Sequence, residues 1–209
     1  MNRILYLHGF ASSPASNKAR FFAERLRAAG ARVDIPDLAA GDFEHLTITG
    51  QLRLIEQAVD GVPVSLIGSS MGGYLAALYA ARHPEVARVV LLAPAFRFAP
   101  RWAERLGADA VASWRETGAL EVFHYGENRQ CSLSYALLDD ASRYEDYPDF
   151  QQPALIFHGE DDDVVPAAYS EEFARTHPDA HLSVLKSGHE LLDVLDYMAP
   201  RVTAFLLGA

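Results

Sequence analysis

Cysteine is almost missing from this 209-residue chain: Cys131 stands alone. That excludes an intrachain disulfide framework, and no neighbouring signature marks the thiol as a nucleophile. Positive charge is also scarce. Against 28 Asp and Glu there are 18 Lys and Arg, a formal net charge of −10 with no basic block to offset it. Such a balance argues against a nucleic-acid or anionic-membrane partner. No apolar run approaches the ~20 residues of a membrane-spanning helix. The stretch Ile4–Leu7 behind Met1-Asn2-Arg3 is too short for a secretory signal, so the expected location is the cytoplasm. Internal repeats and low-complexity tracts are lacking. The adjacent Asp161, Asp162 and Asp163 are not set in a D-x-[DN]-x-[DN]-G loop with a distal Glu, and Pro178 separates His177 from His181. Neither group therefore has the pattern of a metal site, and no metal or cofactor is expected. What is abundant is apolar residues, 50% of the chain. That supplies one sizeable core and, most simply, a single domain over residues 1–209.

The most informative element is Gly68-Ser69-Ser70-Met71-Gly72, which follows the apolar run Val62–Ile67 and precedes the helix-prone Tyr74–Tyr79. This is a G-x-S-x-G turn between strand and helix. A serine there is forced into a strained conformation, and small residues two positions to either side let strand and helix pass closely. Ser70 is the central residue; Ser69 occupies the x position and is expected to point away. A serine hydroxyl is a weak nucleophile that needs a base, and the base needs an orienting group. Past the strand-like run Ala154–Phe157 lies His158-Gly159-Glu160-Asp161-Asp162-Asp163-Val164-Val165-Pro166. Past Leu182–Leu185 lies Lys186-Ser187-Gly188-His189-Glu190. Both sites fall just beyond a strand end, on the sheet edge that carries the serine.

These motifs resemble the α/β-hydrolase superfamily, and in particular its small bacterial-type esterases with an N-terminal His-Gly loop. The resemblance covers nearly the whole chain. In that superfamily a His-Gly-x-x-Asp-x-x-Val-Pro turn carries the triad acid and a Gly-His pair carries the base. The resemblance thus implies Ser70 as nucleophile, His189 as base and Asp162 as the residue that holds the imidazole, with Asp161 and Asp163 left to cap the following helix. The block Leu7-His8-Gly9-Phe10 matches the oxyanion loop, which implies the amides of Phe10 and Met71 as donors to the developing oxyanion. His8 and His158 are expected to orient loops, and His45, His83 and His124 to lie at the surface or in turns.

Alternating strand and helix patterns predict an α/β fold, about six mostly parallel strands with helices on both faces. The expected strands are 3–7, 31–35, 62–67, 86–92, 154–157 and 182–185. The first helix should bury Ala19, Phe22, Ala23, Leu26 and Ala29, and the last should be interrupted at Pro200. One interval, residues 95–153, breaks the alternation and reads as a cap-like insertion. Within it, 100–117 is expected as one helix striped by Trp102, Leu106, Ala110 and Trp114. A hairpin follows around Gly126–Arg129, then a short helix over 136–144. Phe10, Phe96, Phe98, Trp102 and Trp114 are the candidate pocket wall. Arg97, Arg101 and Arg105, spaced i, i+4, i+8, admit two readings: a face that recognises an acidic substrate tail or a coenzyme A phosphate and, the one expected here, a solvated face with Glu104.

The function expected from these residues is hydrolysis of a carboxylic ester or thioester of a small acyl substrate through an acyl-enzyme. Alternatives on the same scaffold are an amidase, peptidase or acyltransferase. A binding protein that keeps the hydrolase fold without turnover is a further reading, but it would need no triad.

Overall fold

The computed structural model describes residues 2–208. Its centre is a six-stranded, all-parallel sheet in the order Arg32–Asp34, Arg3–Leu7, Ser65–Ser69, Val89–Leu92, Ala154–Gly159, Ala180–Leu185. The chain enters at β1 (Arg3–Leu7), turns through α1 (Asn17–Ala28) to the edge strand β2 (Arg32–Asp34), and returns by α2 (Ile48–Val59) to β3 (Ser65–Ser69). Helix α3 (Met71–Arg82) leads to β4 (Val89–Leu92). Beyond the insertion come β7 (Ala154–Gly159), α7 (Ala167–Thr176), β8 (Ala180–Leu185) and α8 (Leu195–Leu207). The insertion holds α4 (Phe98–Leu106), α5 (Ala108–Thr117), the antiparallel hairpin β5 (Ala119–His124) and β6 (Arg129–Ser134), and α6 (Ala136–Ala141).

Period-two alternation in the strands divides the core into two layers. Leu5, Leu7, Leu66, Val89, Leu91 and Ile156 face α2, α3, α7 and the insertion. Ile4, Tyr6, Ile67, Val90, Leu92 and Phe157 face α1 and α8. Helix α3 is buried on every side from Met71 to Ala80, as expected of an element enclosed by sheet, α2 and the insertion.

Four local expectations are corrected. The third strand starts at Ser65 rather than Val62, because Val62-Pro63 is exposed and outside the ladder. Ala29 is the exposed cap of α1, beyond its buried stripe. The single helix over 100–117 is two, broken at Gly107, whose φ of 81° is the left-handed region glycine occupies without strain. Helix α8 runs through Pro200 without a break. The proline removes only the bond to the Asp196 carbonyl in the opening turn, while Met198, Ala199, Val202 and Leu206 hold the helix to the sheet.

Candidate active site

Every parallel strand presents its carboxyl end at the same edge, and there the backbone leaves its favoured regions. Ala11, Ser70, Ala93, Arg97 and Leu191 all adopt positive φ just beyond strand ends of that edge. Such conformations in non-glycine residues persist only where surrounding structure over-determines them. At Ser70 (φ 54°, ψ −119°) the constraint is visible. Its N–H donates to the Leu92 carbonyl at 2.9 Å, and its own carbonyl accepts from the amides of Gly73, Tyr74 and Ala95 at 2.9, 3.1 and 3.0 Å. A side chain at Gly68 would collide with the Gly72 backbone, and one at Gly72 with the carbonyls of Leu7 and His8. The G-x-S-x-G spacing is thus a close crossing of β3, α3 and the loop after β1.

The Ser70 hydroxyl lies 3.0 Å from His189 Nε2, and His189 Nδ1 lies 2.8 Å from Asp162 Oδ2. The pair of contacts requires an Nδ1–H donor to the carboxylate and an Nε2 lone pair facing the hydroxyl. The Asp162 carboxylate is inaccessible to solvent. Its Oδ1 accepts from the amides of Val164 and Val165 at 2.9 and 2.7 Å, while His158 Nε2 lies 3.2 Å from Oδ2. Burial alone would push this carboxyl up. The bonds from His158 and His189, the charge of His189 and the Val165 amide outweigh burial and hold it well below the usual carboxylate range. The loop carrying His189 is seated by another close crossing, since a side chain at Gly159 would strike the Ser187 and Gly188 carbonyls.

His158 and His8 are structural. The first donates from Nε2 to the Val165 carbonyl at 2.8 Å and accepts at Nδ1 from Ser170 at 2.7 Å, fully buried. The second accepts from the Leu38 amide at 3.2 Å and donates to the Gly9 carbonyl at 3.0 Å, pinning the loop before Phe10. His45 is exposed and paired to Asp42, and His83 stacks on Tyr79. His124 departs from expectation: it is buried, edge-on to Phe43, with Nδ1 accepting from the Glu127 amide. Asp161 and Asp163 are exposed and do not cap α7, which has no side-chain cap; Asp162 itself binds the loop amides.

Ser70, Met71, Phe10 and His189 open onto one cleft of about 1100 Å³. The Met71 amide, first in α3, has no helical acceptor, and the Phe10 amide is bonded to nothing among the described residues. Of the expected wall, Phe10, Phe98 and Trp102 line the cleft, whereas Phe96 and Trp114 do not. Phe96 is buried against Phe173 and Tyr147. Trp114 is buried against Trp102 and Tyr135, with its indole N–H donating to the Leu133 carbonyl at 2.9 Å. A large aromatic that faces the interior fills the core before it can border a cavity. Leu106, Leu120 and Val122 complete the apolar wall.

The arginine row also differs from expectation. Arg97 lies 3.6 Å from both Glu104 and Asp146, at the surface side. Arg101 is buried, donates to the Val164 carbonyl, and with Arg105 lines the cleft. Lys18, also in the cleft, had a signal in the sequence: it shares the i, i+4, i+8 face with Phe22 and Leu26, an unusual place for a cation. Among the described residues no group of three His, Cys, Asp or Glu is placed to hold a metal ion, and no helix is long and apolar enough to cross a membrane.

The architecture is that of an α/β-hydrolase, and comparison with solved structures agrees. Mouse alpha/beta hydrolase domain-containing protein 10 superposes with a TM-score of 0.83 at 18% identity, over 98% of this chain and 89% of that one. The monoacylglycerol lipase of Paleococcus ferrophilus gives 0.80 at 18% identity, over 99% and 94%. The chain belongs to UPF0227, an uncharacterised protein family, which it matches over residues 3–206. It also resembles monoacylglycerol lipase abhd6-B of Xenopus laevis, 31% identical over 103 residues. That match takes in 44% of this chain and only 30% of the length of the relative.

Proposed function

We propose that this protein is a serine hydrolase that cleaves a carboxylic ester or thioester of a small acyl substrate through an acyl-enzyme. The observation that carries the reading is the unbroken contact chain Asp162–His189–Ser70, at 2.8 and 3.0 Å, opening onto a cleft with an apolar wall. In this reading His189 takes the Ser70 proton as the hydroxyl attacks the carbonyl. The free amides of Phe10 and Met71 receive the oxyanion, aided by the positive end of α3. Imidazolium then protonates the leaving alcohol or thiol, and water, deprotonated by the same ring, releases the acid. Asp162 keeps the ring in the required tautomer and offsets the transient positive charge. The cleft wall of Phe10, Phe98, Trp102, Leu106, Leu120 and Val122 is matched to an acyl chain or aromatic acyl group. A matched stretch shared with a monoacylglycerol lipase, and a fold shared with another, support ester chemistry over amide chemistry.

A fluorophosphonate probe followed by peptide mapping tests this directly. The expected result is one stoichiometric adduct on Ser70 that is lost in His189→Ala. A folded protein that takes no adduct would overturn the reading in favour of a binding role for the cleft.

A further inference from the structure

The cleft is chemically lopsided in a way ester hydrolysis does not require. Besides the aromatic wall, the cleft is lined by a polar stretch made of Ser12, Ser13, Ser16, Asn17 and Lys18, the end of the β1 loop and the first turn of α1. This turn is unsatisfied. Ser16, the N-cap, makes no side-chain cap, and the amides of Asn17, Lys18 and Ala19 have no acceptor among the described residues. Three open amides and the positive end of a helix make a turn of this kind receptive to anions.

A second observation is independent of the helix end. Lys18 is only 8% exposed and lines the cleft, yet makes no hydrogen bond or ion pair among the described residues. The Tyr6 hydroxyl in the same wall is buried and also without a partner. Burial of an unpaired ammonium is costly, and surface lysines avoid it by reaching into water. Burial pushes the Lys18 ammonium down, and the charges of Glu190 and Asp162 only partly oppose this. Both carboxylates adjoin His189, Glu190 in sequence and Asp162 through its hydrogen bond. Glu190 lines the cleft but forms no ion pair with Lys18. Lys18, Arg101 and Arg105 against Glu190 also make the cleft positive in a chain whose net charge is −10.

We propose that Lys18 and the open first turn of α1 form an anion subsite that receives a carboxylate or phosphate carried on the leaving-group side of the ester. The acyl part then lies against the aromatic wall, and the carboxylate or phosphate carried by the leaving alcohol or thiol supplies the counter-charge that Lys18 lacks. The leaving-group side is chosen because His189 must reach the leaving atom and Lys18 lines the same cleft as His189 and Glu190. This inference rests on the proposed ester hydrolysis for its orientation, but the subsite itself can be measured without turnover.

The test is calorimetric, on the full chain, with ethers that no hydrolase of this type can cleave. The probes are 1-O-octylglycerol, its 3-phosphate, and the octyl ether of glyceric acid. The phosphate or carboxylate ether is expected to bind about tenfold or more tightly than the neutral one, with an advantage that shrinks as salt rises. Which of the two anions gains more identifies the source. In Lys18→Met the advantage should fall to near one, and in Lys18→Arg much of it should return. Equal binding of neutral and anionic ethers by the native chain, or an advantage that survives Lys18→Met, would overturn the proposal. Should Lys18→Met fail to fold, Lys18→Gln replaces it, and the native-chain ratio decides on its own. Anion preference without a fluorophosphonate adduct would sink the catalytic reading and leave the subsite standing. An adduct without anion preference would do the reverse.

Discussion

The two sides of the cleft are built on different physics. The sheet edge is polar, rigid and over-bonded: Ser70, His189 and Asp162 are each fixed by hydrogen bonds and by backbone crossings that tolerate only glycine. The insertion side, apart from Arg101 and Arg105, is apolar, and its rings meet each other and Phe10 of the β1 loop at ordinary packing distances, Phe10 to Trp102 at 5.0 Å and Phe98 to Trp102 at 5.6 Å. Geometry on the first side depends on a few contacts that cannot be exchanged. Shape on the second depends on summed dispersion, which other apolar residues can supply. On the proposed reading, one side sets whether a reaction occurs and the other sets on what.

Substitutions can break that contrast in descending order. Ser70→Ala should lower ester turnover by on the order of 10⁶-fold while leaving the melting temperature close to native, measured by rate assay and thermal melt. Asp162→Asn should cost roughly 10⁴-fold, because the amide cannot enforce the His189 tautomer. Gly72→Ala should destabilise the fold by about 3 kcal/mol or more, read by urea unfolding, since the methyl meets the Leu7 and His8 carbonyls with no flexible atom to give way. Trp102→Ala, on the other side, should keep the fluorophosphonate adduct and change the acyl-length profile by about tenfold or less. An unaltered profile would show that the aromatic wall does not select.

Acid titration sharpens the same comparison. The Asp162 carboxyl has a lowered folded pKa, so ionisation stabilises the folded state fully above the ordinary carboxylate range. That contribution falls as pH drops through the range towards the lowered value. Melting temperature followed down the acid limb should therefore decline less steeply in Asp162→Asn than in the native chain. Parallel limbs would remove Asp162 as a source of acid lability.

Legibility in the sequence follows the same division. Strand–turn–helix around Ser70 and the strand ends before Asp162 and His189 are local patterns, and the structure brings these three side chains within hydrogen-bond reach. The parallel sheet follows from alternation, apart from end shifts at β3, where Val62-Pro63 is apolar in letters but exposed in space, and at β4, which starts at Val89 rather than at residue 86. Long-range packing is not written locally. Phe96 and Phe98 are equally apolar neighbours, yet one fills the core with Phe173 and the other borders the cleft. Arg101 reads as a surface cation until α4 turns it towards Val164. Pro200 reads as a break, but α8 has enough apolar contact to continue past one missing N–H.

That bond from Arg101 to the Val164 carbonyl ties the insertion to the loop whose next residues hold Asp162. Lifting α4 from the cleft would expose buried Phe98, separate Trp102 from Phe10, and leave the Val164 carbonyl without its guanidinium donor. Displacing α4 thus costs apolar burial and a charge-assisted hydrogen bond together. A substrate that enters without displacing α4 incurs neither cost.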